Sequence, residues 1–131
     1  MLKVKKIEIE SKGMTSEHVL YFHENAKKLV TIFPGGGNDC KRPVLFYLTD
    51  YFARNHYDVL CISYVNLVQN DLSTVQKIDL IACAIHETIT NSKEIKKYDE
   101  YIFVSNSFGN IIANTIKDKY EMDVKNSIYI S

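Results

Sequence analysis

Tyr101-Ile-Phe-Val-Ser-Asn-Ser-Phe-Gly-Asn-Ile-Ile112 decides how the rest of this chain is read. It opens as an unbroken apolar run, the pattern of a strand covered on both faces. It then turns through Ser105-Asn-Ser-Phe-Gly109 and leaves on a helical pattern, with Phe108, Ile111, Ile112, Thr115, Ile116 and Tyr120 on one face. Strand, sharp turn and helix around S-x-S-x-G is the context of a nucleophile elbow. Ser107 falls at the tip, its hydroxyl lifted out of the turn. The backbone N–H of Phe108, first in the new helix, is free to donate to a developing negative charge. The residues two before and two after the tip must be small for strand and helix to pack closely. Gly109 meets that need, and Ser105 stands where glycine is usual.

Upstream, Leu29-Val-Thr-Ile-Phe33 is a second apolar run, and it passes directly into Pro34-Gly35-Gly36-Gly37-Asn38. Three successive glycines lower steric hindrance, so backbone N–H groups can turn toward an anion. Pro43 suits the first turn of a helix, which Val44, Tyr47, Leu48, Tyr51 and Phe52 continue to Asn55. Asp58–Ser63 is a further apolar strand. Ser73-Thr-Val-Gln76 is a capping box, and the helix behind it carries Val75, Ile78, Ile81, Ala82, Ile85 and Ile89 inward, ending into Asn91–Lys97. Ahead of all this, Lys3–Glu10 alternates weakly, Ser11–Gly13 is a turn and Val19–Phe22 is a short strand. Asn126–Ser131 is a last strand.

After the opening hairpin, strands and helices alternate. That order predicts an α/β domain, a mostly parallel sheet of about six strands with an antiparallel start and helices on both faces. The 131 residues contain no internal repeat, low-complexity tract or linker, so residues 1–131 read as a single domain.

Lys+Arg 16 against Asp+Glu 16 leaves no bulk field to attract nucleic acid or anionic lipid, and neither is expected as a partner. Lys3, Lys5 and Lys6, and again Lys93, Lys96 and Lys97, read as solvated faces. No run approaches the ~18 apolar residues of a membrane span. Cys40, Cys61 and Cys83 are widely spaced without C-x-x-C, which points to reduced thiols in a cytoplasm and to neither a disulfide frame nor a metal site. No cofactor is expected.

On these residues the chain resembles the N-terminal part of an α/β-hydrolase, of the esterase, lipase and acyl-peptide-hydrolase kind. The resemblance covers the opening antiparallel strands, Leu29–Phe33 with its glycine loop, the Pro43–Asn55 helix, Tyr57–Tyr64 and the elbow. It implies Ser107 as nucleophile, Gly36 and Phe108 as oxyanion donors, and Gly35, Gly37, Ser105 and Gly109 as shaping residues. Pro34 stands where many esterases carry histidine. The implied substrate is a small acyl compound: an ester, thioester or amide. The implied pocket rim is Asn38–Cys40 with Tyr64–Leu67.

The main departure from that pattern is the acid and base, which in this family follow the nucleophile in the chain. Twenty-four residues follow Ser107, and none is histidine. Asp118 lies at the far end of the elbow helix, on the order of 15 Å from Ser107 at 1.5 Å per residue, so it, Glu121 and Asp123 are poor triad acids. His18, His23, His56 and His86 all precede the elbow and read as surface residues. Without a base a serine hydroxyl keeps its very high pKa and attacks feebly.

Three readings follow. The first is a serine hydrolase represented by its N-terminal part, cut after the strand at 127–131 and inactive alone. The second is a non-catalytic binding module or pseudoenzyme that kept the fold and lost the base. The third is a flavodoxin-like amidase or peptidase, which the antiparallel start fits less well. The apolar strand at 127–131 is also an uncovered edge through which chains can self-associate.

Overall fold

The computed structural model describes residues 2–11, 14–36, 40, 42–64 and 73–130. Chain order is β1 (Lys3–Ser11), β2 (Met14–Phe22), β3 (Lys28–Phe33), α1 (Pro43–Arg54), β4 (Asp58–Cys61), α2 (Thr74–Asn91), β5 (Glu100–Asn106), α3 (Phe108–Lys119) and β6 (Asn126–Ile130). The strands form one six-stranded sheet in the order β1-β2-β4-β3-β5-β6. β1 with β2 and β2 with β4 are antiparallel; the remaining neighbours are parallel. This is the expected architecture. β2 is longer than expected, running from Met14, because its pairing with β1 continues to Ser11↔Met14.

The central strands are apolar on both sides because helices cover both. Val30, Ile32, Val59, Cys61, Ile102 and Val104 face α1. Leu29, Phe33, Leu60, Phe103 and the strand residues Ile7 and Leu20 face α2 and α3. Phe33 and Phe103 meet edge to face at 4.8 Å between ring centroids, at the middle of the second layer. Each fully buried side chain of this size contributes about 1.5–3 kcal/mol of transfer free energy.

Each helix buries a face slightly different from the one its apolar residues suggest. In α1 the buried residues are Leu45, Thr49 and Ala53, flanked by Leu48 and Phe52. Val44, Tyr47 and Tyr51 are exposed. The sequence offers two overlapping apolar stripes, and the smaller side chains win because α1 lies close on β3 and β4. Thr49 tolerates burial by donating its hydroxyl to Leu45 O at 2.8 Å. In α2, Val75 is exposed while Ile81, Ala82, Ile85 and Ile89 are buried; in α3, Ile111 is exposed and Gly109, Ala113 and Ile116 are buried. The capping box at Ser73 and Gln76 forms as expected.

At the amino ends of the parallel strands, Asp58 is fully buried and its carboxylate accepts hydrogen bonds from His23 N (2.7 Å) and Tyr98 Oη (2.5 Å). This cluster joins β2, β4 and the approach to β5. The elbow and glycine loop lie at the opposite rim.

Candidate active site

Parallel register brings the two unusual loops together. Phe33 pairs with Ser105, so the residues following each strand emerge side by side at the carboxyl rim of the sheet. β5 ends at Asn106, α3 begins at Phe108, and Ser107 alone makes the turn, with φ 53 and ψ −118. A non-glycine residue with that combination is strained, at a cost of about 1–3 kcal/mol. The side chain of Ser107 is exposed and makes no capping hydrogen bond. Its carbonyl accepts from Asn110 N at 2.9 Å. The first-turn N–H groups of α3 therefore have no side-chain cap, and no acidic residue sits there to neutralise the positive end of the helix.

Two small residues let the strand and helix meet. Gly109 lies against the end of β3, where a Cβ would fall 2.7 Å from Pro34 O. Ser105 is buried, and its hydroxyl donates to Asn110 Oδ1 at 2.6 Å. Serine thus fits where glycine is usual, because its polar atom has a partner across the turn. Asn110 carried no signal in the sequence; its role depends on a contact between the last strand residues and the first helical turn.

Pro34 and Gly35 are buried and Gly36 is exposed. A Cβ on Gly36 would stand 3.4 Å from Phe108 Cβ, which places the glycine loop in contact with the start of α3. Tyr64 braces the same point. Its hydroxyl donates to Pro34 O at 2.9 Å, and its ring meets Phe108 edge to face at 5.4 Å. Burial raises the Tyr64 pKa well above the usual phenol range, so this donor keeps its proton. Gly37, and Asn38, Asp39 and Val65–Leu67 of the expected rim, lie outside the described residues.

None of the four histidines is hydrogen-bonded to Ser107 among the described residues. His23 and His56 sit at the opposite rim with ring centroids 5.4 Å apart, and His23 Nε2 bonds Ala53 O at 2.8 Å. His86 stacks on Tyr120, at the far end of α3. His18 departs from the surface reading. It is fully buried, and its Nδ1 accepts from Ser63 N at 2.9 Å. Its Nε2 has no hydrogen-bond partner among the described residues. Desolvation lowers its pKa to about 4. It stands near the carboxyl rim but three strand spacings from β5, roughly 14 Å, too far to serve Ser107. Asp118, Glu121 and Asp123 are exposed around the C-terminus of α3, as expected.

No protein-family model and no curated protein sequence matches this chain. Solved structures do. A dienelactone hydrolase from Anabaena variabilis superposes with TM-score 0.75 at 13% identity, covering 98% of this chain and 62% of that one. Vibralactone cyclase gives 0.72 at 9% identity, with 98% and 42% covered. The Pyrococcus furiosus esterase Pf2001 gives 0.66 at 16% identity, with 92% and 49% covered. The chain thus has a partial α/β-hydrolase fold and spans less than two thirds of the length of these structures.

Proposed function

We propose that this partial α/β-hydrolase fold carries the nucleophilic half of an acyl-transfer site, acting on carboxylic ester, thioester or amide substrates. Ser107 is the nucleophile in this reading. Its Oγ adds to the substrate carbonyl, the leaving group departs, and water later hydrolyses the acyl-serine. The N–H groups of Phe108 and Gly36 hold the carbonyl oxygen as it becomes anionic, a contribution of about 3–4 kcal/mol per donor in comparable sites. The observation that carries the reading is the strained, exposed Ser107 at the start of an uncapped helix, with Gly36 packed against Phe108.

A general base and its acid are not provided by the described residues. In this proposal they come from residues beyond position 131 or from a second chain. With the oxyanion donors alone, rate enhancement falls to ~10³–10⁴ over water, well below a working hydrolase. The 131-residue chain is therefore expected to be almost inactive.

The same missing base favours a second reading, a binding module or pseudoenzyme that retains the fold. A fluorophosphonate probe separates the two. The 131-residue chain should label very slowly. A chain extended to include a downstream histidine should label fast, and Ser107→Ala should abolish that labelling. Rapid Ser107-dependent labelling of the short chain would refute the missing base, and an extended chain that stays unlabelled would favour the binding module.

A further inference from the structure

Away from the elbow, a cavity of about 570 Å³ opens between α1 and the β2–β4 pair. Val19, Tyr21, Phe46 and Ile62 give it apolar walls, and two of the three cysteines, Cys40 and Cys61, share it. Ser107, Gly36 and Phe108 are not among its described lining residues. Its size lies within the ~300–1,000 Å³ of small-molecule pockets.

The two sulfurs are held together by backbone on both sides. Cys61 pairs with Ile32 in the β3–β4 ladder, and Cys40 Sγ lies 3.8 Å from both Ile32 O and Ile62 O, the carbonyls that bracket that rung. The Cys61 thiol lies 3.6 Å from Thr49 Oγ1 and lines the same cavity as Cys40. Cys61 itself is 7% exposed, whereas Cys40 is half-buried and opens to the cavity.

We propose that Cys40 and Cys61 form a dithiol that reacts with small hydroperoxides and closes to an intramolecular disulfide. A hydrogen bond from Cys40 lowers the Cys61 pKa and so favours its thiolate, against the opposing effect of burial. That thiolate attacks one peroxide oxygen. The S–O bond forms, the O–O bond breaks, and the released alkoxide takes a proton to leave as an alcohol, or as water from hydrogen peroxide. Cys40 sulfur then displaces the sulfenic oxygen. The S–S bond forms, the S–O bond breaks, and the thiol proton of Cys40 leaves with the oxygen as water. Two thiols are oxidised and one peroxide is reduced. The product ties the chain just after the glycine loop to β4.

Cys83 is an internal control. It lies on α2, on the other side of the sheet, with its thiol 3.6 Å from Glu87 Oε1. Treating the reduced chain with cumene hydroperoxide or hydrogen peroxide should remove two of its three alkylatable thiols. The protein should become about 2 Da lighter, as expected for loss of two hydrogens in disulfide formation. Non-reducing peptide mapping should link the Cys40 peptide to the Cys61 peptide, with Cys83 still alkylated and dithiothreitol restoring all three. Cys83→Ala should behave identically, while Cys40→Ser should leave Cys61 as a dimedone-trapped sulfenic acid. Three surviving thiols, direct conversion to sulfinic acids, or cross-links through Cys83 would overturn the proposal.

Discussion

A Cβ added to Gly109 would lie 2.1 Å from the carbonyl oxygen of Phe33, so the elbow helix rests directly on the backbone of the neighbouring strand. Backbone cannot move aside as a flexible side chain can. Gly109→Ala should therefore destabilise the chain by more than about 3 kcal/mol. Gly36→Ala meets only ordinary contact with Phe108 and should stay within about 1 kcal/mol of the parent. Urea unfolding monitored by circular dichroism compares the two. Equal midpoints would show that the elbow helix is not seated on β3 in this way.

The strain at Ser107 is open to measurement by two substitutions that both remove the hydroxyl. Glycine adopts φ 53 and ψ −118 freely, whereas alanine does not. Ser107→Gly should stabilise by about 1 kcal/mol, after allowing for the entropy glycine adds to the unfolded chain, and Ser107→Ala should change little. If Ser107→Gly proves less stable than Ser107→Ala, the turn is not strained.

His18 makes stability depend on pH in a defined window. Its folded pKa of about 4 is below the ordinary value of 6.5, so the unfolded chain binds more protons between those values. The stabilising effect of keeping it neutral is full above pH 6.5 and is lost as pH falls toward 4. From pH 7 to pH 5 the parent should lose about 2 kcal/mol more than His18→Gln, whose side chain can still accept from Ser63 N. Parallel pH dependences for parent and variant would show that His18 is not buried uncharged.

We propose further that β6 pairs with a second copy. It lies at the edge of the sheet, and Ile128 and Tyr129 are 39% and 51% exposed. Lys117 donates to Ser127 Oγ and Tyr129 Oη, which pins the strand to α3. Sedimentation over a concentration series should show a dimer, and Ile128→Lys should raise its dissociation constant roughly tenfold, a loss near 1.4 kcal/mol. A monodisperse monomer at all concentrations would count against pairing.

How far the site was legible depended on whether each feature was local. The elbow was legible because strand, turn and helix are consecutive in Glu100–Lys119, and the capping box at Ser73 was legible for the same reason. Helix faces were less so. Val44, Tyr47 and Tyr51 follow helical spacing as well as Leu45, Leu48 and Phe52 do, and periodicity alone does not choose between stripes. His18 was misread because alternating polarity in β2 hides which face a helix layer will cover. The Ser105–Asn110 bond and the Tyr64 brace on Pro34 had no sequence pattern at all.

By itself, the sequence determined the alternation of apolar strands with amphipathic helices, and the two places where glycine and serine interrupt it. These depend on spacing within a few residues, which backbone geometry converts directly into strands, turns and helices. Only the tertiary structure decided that Gly36 rests against Phe108, that His18 is sealed in, and that Cys40 and Cys61 line one cavity. Those contacts join residues far apart in the chain, and they exist only once strand order and register are set by burial of the whole core.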